Sequence, residues 1–475
     1  MDPLWIVLSG TVVMVLGLLA FRLHAFLALI LGALVVGLLT PESSRAWQML
    51  RGRAARVEQW DPASGVARVP PRVGWRAGSV ELVPEISGPP EARFHARWEI
   101  IAGSPPGTGR IAGVPEGQSA SGRWWIAPVG SAAEAVQQAR GHPLGFVADG
   151  FGTTCKNIGF LILLASVIGR CLSESRAADR VVRWIQETLG ENRAPQGFAV
   201  SGFLLGIPSF FDTVFYLLMP LGRGLAERTG RDFLLYTLTI VAGATMAHGL
   251  VPPTPGPLFA ATEFGVPLGG MMLGGIVVGA VSVSSGLVYA SWANRRWSLP
   301  LRPLGDAAPA PAAAPAEEGM PALGWSVLPI LLPIGLIAAS EVGKASGLTA
   351  GWGVWGRWIG FFGQSQMALL TGTAVALVLF ASRRRWNWAA LSGPVSQAMA
   401  GGGTILMITA AGGAFGQMIR QTDIATRLVG LAGTGHFALL LAAFGITSLV
   451  RIAQGSATVA IITASGVVAP IAAAA

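Results

Sequence analysis

Apolar runs long enough to cross a hydrocarbon core as helices recur along this chain, at about 20 residues per crossing. We count at least eight in its 475 residues, which makes it a polytopic all-α membrane protein. Its 12% charged residues, against about 25% in soluble domains, exclude an ordinary soluble enzyme. The 64 glycines and 31 prolines follow no triplet period, so they mark close-packed helices with deliberate breaks rather than a fibrous or disordered chain. The net charge of +9 lies mostly in short loops between apolar runs, the pattern of membrane topology and not of a nucleic-acid surface. The N-terminal run lacks a basic flank and a second run follows at once, so no cleavable signal peptide is expected.

The runs divide the chain. Residues 1–40 read as a two-helix hairpin turning at Arg22 and His24. Residues 41–141 change composition sharply, with 12 Arg, nine acidic residues and six Trp. Short alternating stretches at 80–83 and 93–100 predict strands, so the segment reads as a small β-rich extramembrane insert, a spacer or a docking module. A first transmembrane repeat covers 142–299, and a Pro/Ala-rich linker covers 300–322. A second repeat fills 323–475.

The two repeats echo each other. Ile168-Gly169-Arg170, Ser175, Ala178 and Arg180 match Phe415-Gly416-Gln417, Thr422, Ala425 and Arg427 at a shift of 247. The same shift sets 207–211 over 454–458, and Gly152-Thr153 matches Gly403-Thr404 with one extra helical turn. If 197–221 is a re-entrant hairpin and not a span, fifteen basic residues share one side against Lys344, Arg357, Arg420 and Arg427 on the other. The rich side is then cytoplasmic, the repeats are inverted, and the N-terminus and insert lie outside. An inverted repeat would extend to about residue 539, so the second copy reads as shortened by roughly 60 residues.

Candidate chemistry sits in three interruptions of the apolar body. In the first, His248-Gly249-Leu250-Val251-Pro252-Pro253-Thr254-Pro255-Gly256-Pro257, no helix can continue, and freed carbonyls inside a membrane persist only beside a cavity or within protein. The others are polar tips, Ile207-Pro208-Ser209-Phe210-Phe211-Asp212-Thr213 and Ala453-Gln454-Gly455-Ser456-Ala457-Thr458. Hairpin turns of this kind offer free amides and hydroxyls to an anion, although small residues at a helix contact have the same composition. Asp212 and His248 are candidates to carry a coupling proton, and Arg451 to pair with a carboxylate. An Asp212–Arg451 structural pair and a backbone-satisfied His248 are the plainer readings, and Glu263 reads as a loop residue. Cys155 and Cys171, sixteen residues apart on one run, are out of disulfide reach. No phosphate loop, dinucleotide fingerprint, serine elbow or metal-ligand cluster is present, so no metal or cofactor is expected.

These stretches, with Phe21-Arg22-Leu23-His24-Ala25-Phe26 and Gly150-Phe151-Gly152-Thr153, resemble the gluconate:proton symporter family over roughly 1–40 and 145–475. The resemblance implies proton-coupled import of gluconate or a related small hydroxy-carboxylate, through an elevator-like slide of a transport unit on a scaffold in the inner (plasma) membrane. It places substrate between the two tips and the break, at Ser209, Phe211, Gly249, Thr254, Arg451, Gly455, Ser456 and Thr458, with Asp212 and His248 handling the proton. The insert is absent from the family core, and Thr254 stands where the family often has a second His. A receptor that binds a sugar acid and signals through the insert is the rival reading. The expected partners are the carboxylate, protons and the lipid bilayer, with a homo-oligomer left open and no nucleic acid.

Overall fold

The computed structural model describes residues 2–57, 59–60, 66–69, 78–85, 88–100, 108–112, 124–297, 320–345, 353–383, 389–422, 424, 440–441, 443–445, 447–448, 451 and 457–472. The chain forms two compact units, one of Met1–Phe151, Ala414–Ala442 and Gly466–Ala475, the other of Gly152–Gly413 and Ala443–Ser465.

In the first unit α1 (Pro3–Leu19) and α2 (Ala25–Leu39) pack antiparallel, with Gly10 against Gly32 and Val36 and Gly17 against Ala28. Asp2 and His24 cap them by accepting the amides of Leu4 and Phe26. The chain then bends by 101° into α3 (Glu42–Arg53). Among the described residues seven strands follow, β1 (Ala55–Arg56), β2 (Gln59–Trp60), β3 (Val66–Arg68), β4 (Gly78–Pro84), β5 (Phe94–Ile100), β6 (Thr108–Ala112) and β7 (Trp124–Pro128). They form one antiparallel sheet in the order β1-β7-β4-β5-β6-β3-β2.

Period-two alternation sorts this sheet into two faces. Val80, Leu82, Trp98, Ile111 and Ile126 fill one. Val83 and Ala127 meet Trp47 and Leu50 of α3 and Ala132 and Ala135 of α4 (Ser131–Ala139) on the other. The insert is therefore strand-rich only in its middle, with a helix at each end. Glu81 is buried on the α4 side, where its carboxylate accepts the amides of Gly130 (2.9 Å) and Ala132 (2.6 Å). Arg51 lies over the rings of Trp47 and Trp125 and pairs with Glu85 at 3.3 Å.

Among the described residues six helices are long and apolar enough to cross a membrane, or seven if α2 and α3 count as one bent span. The first, Pro143–Glu174, joins α5 (Pro143–Thr154) to α6 (Phe160–Glu174) through a π-helical turn at Cys155–Gly159. The amphipathic α7 (Ala177–Leu189) follows, burying Val181, Val182 and Ile185.

The apolar run 197–221 is not one helix. α8 (Ala194–Gly206) ends before Pro208, which has no amide to donate, and α9 (Phe211–Thr229) begins after a four-residue break. α10 (Phe233–Leu250) runs parallel to α8: a Cβ on Gly202 would lie 2.9 Å from the Ala244 nitrogen, and one on Gly206 would lie 2.9 Å from the Ala247 Cβ. Glycine and alanine let these backbones touch, as helices in lipid commonly do. Because α8 and α10 share a direction, the intervening α9 carries the chain back.

α10 stops at the proline cluster as expected, and α11 (Pro255–Glu263) resumes after residues 251–254. The two helices stay aligned well enough to form one 31-residue apolar span. Glu263, expected in a loop, is the last residue of α11, because the helix continues through the apolar Leu258–Ala261 stretch. α12 (Leu268–Arg296) returns antiparallel to α10, with Gly275 against the Leu250 carbonyl and the Asn294 Oδ1 accepting the Leu235 amide at 3.3 Å.

Three further helices complete the described spans, α13 (Leu323–Ala345), α15 (Ser365–Arg383, after the short α14, Gly353–Phe362) and α16 (Ala389–Gln421). α16 lies antiparallel to α6 and the turn before it, with Gln397 bonded to Arg170, Gly402 on Ser166, Leu406 on Gly159 and Gly413 on Thr154. α17 (Ala457–Ala472) closes the chain's described part. The count falls below eight because the 197–221 run is broken, α1 and the apolar start of α17 are short, and much of 436–474 lies outside the described residues.

Candidate functional site

Three helix beginnings meet within the second unit. The tip 207–210 leads into α9, the break 251–254 leads into α11, and α17 starts at Ala457. A small recess lies among tip residues 207–210, Pro253, Thr254 and Pro255, and Ile162, Ala165 and Ser166 of α6. The tip packs so closely on α6 that a Cβ on Gly169 would lie 2.9 Å from the Ser209 Oγ. α17 reaches the same place from the other side, since a Cβ on Gly256 would sit 3.5 Å from the Thr458 Cα.

His248, in the last turn of α10, joins these parts. Its Nε2 lies 3.2 Å from the Thr458 Oγ1, and the Phe210 ring stands edge-on at 6.1 Å. Its Nδ1 is buried, and the ring lies within hydrogen-bonding reach of the Ser209 backbone. The Asp212 carboxylate and the Arg451 guanidinium both act on the ring electrostatically.

Helix starts carry free amides and the positive end of the backbone dipole, equivalent to roughly half a charge each. The N-cap of α9 is Phe210, which has no side-chain acceptor. The N-cap of α11 is Thr254, and its hydroxyl donates instead to the Val251 carbonyl at 2.7 Å. Pro255 and Pro257 lack amides, and the Leu258 amide is bonded to the Thr254 carbonyl, which leaves the amide of Gly256 at that end. The arrangement suits an anion with hydroxyl groups: dipole ends for its charge, Ser209 and Thr458 for its hydroxyls.

Of the residues singled out in the sequence, Ser209, His248, Thr254 and Thr458 come together, with Arg451 in the field of His248. Gly249 borders open space, since a Cβ there would meet nothing within 4 Å. Phe211 is turned away and stacks on Phe215 at 5.7 Å, beside the apolar core. Asp212, a candidate proton carrier, is exposed in the first turn of α9 and forms no ion pair with Arg451. Asp212 is not among the residues lining the recess. Gly455 and Ser456 lie outside the described residues.

Phe210 and Ser166 line the recess without having been singled out. Phe210 was within reach of sequence reasoning as the last tip residue before a helix start, whereas nothing local marks Ser166. Among the described residues no group of three or more His, Cys, Asp or Glu is placed to hold a metal ion.

Residues 136–475 match the family described as GntP family permease. The chain is similar to a gluconate permease of Pseudomonas aeruginosa, 31% identical over 327 residues, or 68% of this chain and 71% of that protein. It is 29% identical to the inner membrane permease YgbN of Escherichia coli over 345 residues, covering 70% and 75% of the two chains. A high-affinity gluconate transporter of Escherichia coli is 27% identical over 328 residues, covering 67% and 70%.

Proposed function

The chain belongs to the GntP permease family, whose members are transporters and not enzymes, and from that premise we propose that it carries gluconate or a related small hydroxy-carboxylate with protons. Its place is the inner membrane, with the N-terminus and the insert outside the cytoplasm. The observation that carries the reading is the meeting of the first tip, the helix break and Thr458 around His248.

In this reading the substrate carboxylate lies toward the amides opening α9 and toward Arg451, where dipole and guanidinium offset its charge. The hydroxyls of the acid bond to Ser209 and Thr458, and Thr254 holds the break open through its bond to Val251. Gly249 supplies room, and Gly455 and Ser456 keep the substrate-binding role that their sequence suggests. Phe210, rather than Phe211, forms the apolar wall. His248 takes the coupling proton on its buried Nδ1, so that anion and proton cross together. Asp212, exposed at the head of α9, delivers protons to it.

The segment 194–229 is a re-entrant hairpin. The parallel run of α8 and α10 supports this, because it levels the tip with the break at 251 while α11 continues nine residues beyond. The halves are inverted repeats: shifts of 247 and 251 carry the Ser166·Gly402 contact onto the neighbourhood of Thr154·Gly413. Substrate crosses by an elevator-like alternation of access.

Uptake of labelled gluconate by proteoliposomes tests the proposal. Accumulation under an inward proton gradient, lost in His248→Ala, is the expected result. No uptake of gluconate or of other small hydroxy-acids under that gradient would overturn it.

A further inference from the structure

Lys156 sits deep inside the span Pro143–Glu174, with thirteen residues of helix before it and eighteen after. At 1.5 Å per residue the span is about 48 Å long against a hydrocarbon core of about 30 Å, so with the span centred Lys156 lies roughly 10 Å inside the core. Its side chain is exposed, and among the described residues it forms no ion pair or hydrogen bond. An ammonium facing lipid at that depth is among the least favourable arrangements in a membrane, so charged groups there face water or a charged partner.

The local backbone gives the position a purpose. Lys156 and Asn157 occupy the π-helical turn Cys155–Gly159, a distortion that recurs at functional sites. Gly152 and Thr153 are exposed one helical turn earlier, so four small or polar residues form one open face. Thr154, Gly159 and Ser166, on the other side of the same helix, pack against α16. Lys156 precedes Ile162, the first recess residue of α6, by six positions, or about 9 Å of rise. The shift that sets Gly152-Thr153 on Gly403-Thr404 sets Lys156 on Met407, itself exposed, so the fold accepts an uncharged side chain at the corresponding place.

We propose that Lys156 and the face of Gly152, Thr153 and Asn157 line the water-filled path to the recess, and that the Lys156 ammonium binds the carboxylate of the substrate in transit. This rests on the transporter reading given above. A lysine suits a transient stop because it presents a compact charge without the two-pronged geometry of arginine.

The test uses the full chain in proteoliposomes, in a Cys155→Ser, Cys171→Ser background whose uptake is first measured. Lys156→Cys is exposed to a membrane-impermeant sulfonated maleimide with and without gluconate. We expect labelling, slowed at least fivefold by gluconate. In the native background Lys156→Met should raise the KM for gluconate about tenfold, with Lys156→Arg recovering most of the loss. Absence of labelling would place Lys156 against lipid or a second copy and overturn the proposal, as would labelling that gluconate leaves unchanged while the parent transports it. A parent that takes up no gluconate counts against the transporter's substrate; labelling at position 156 then still supports the aqueous path, and its absence still overturns it.

Discussion

The Nε2 of His248 lies 3.2 Å from the Oγ1 of Thr458, which couples the end of α10 to the first turn of α17 across 210 positions of sequence. The other ring nitrogen, Nδ1, is buried beside the Ser209 backbone. In the proposed mechanism this ring carries the coupling proton.

The anchor itself is testable. Thr458→Val keeps the shape and removes the hydroxyl, so it should lower gluconate uptake at limiting substrate about fivefold, equivalent to one hydrogen bond of about 1 kcal/mol. Thr458→Ser should retain most of the activity. Initial-rate uptake in proteoliposomes distinguishes the two; equal rates for Val and wild type would remove Thr458 from the site.

In the proposed mechanism proton coupling is separable from binding. His248→Gln can still bond Thr458 but cannot hold a proton, so accumulation driven by a pH gradient should disappear while gluconate exchange across the membrane persists. Accumulation of normal size in His248→Gln would assign the proton to another group.

Two glycines on α10 should respond oppositely to alanine. A Cβ on Gly243 would lie 2.1 Å from the Ala199 carbonyl oxygen, so Gly243→Ala must force α8 and α10 apart. A drop of several degrees in melting temperature is expected, along with loss of transport, since overpacking costs about 1–3 kcal/mol or more. Gly249→Ala meets open space and should leave the melting temperature unchanged while raising the KM for gluconate. Thermal unfolding in detergent paired with uptake kinetics reads both.

The insert carries its own prediction. Glu81→Gln turns a carboxylate that accepts two backbone amides into an amide that can oppose one of them. The sheet and α4 should lose about 1–3 kcal/mol, measured as an earlier thermal transition, with gluconate uptake at 25 °C unaffected. Loss of uptake at a temperature where the variant remains folded would tie the insert to transport.

Apolar run length and proline placement are local properties, and they marked most of the spans, the break after Leu250 and the interruption at Pro208 correctly. Strand alternation at 80–83 and 93–100 likewise falls on β4 and β5, because one side of a sheet must be apolar wherever it is covered. The helices α3 and α4 at the ends of the insert were less legible, since their apolar stripes are short and take meaning only from the sheet they cover.

What the chain could not announce is which way its tip residues face. Successive helical residues turn by about 100°, so the point where α9 begins decided that Phe210 borders the recess, that Phe211 stacks on Phe215 and that Asp212 is exposed. The pairing of His248 with Thr458 and the place of Ser166 depend on helices far apart in sequence. The sequence alone determined that this protein lives in a membrane and where its helices must break, because lipid penalises polar backbone wherever it occurs. The tertiary structure decided which broken ends meet, because packing between distant helices sets that geometry.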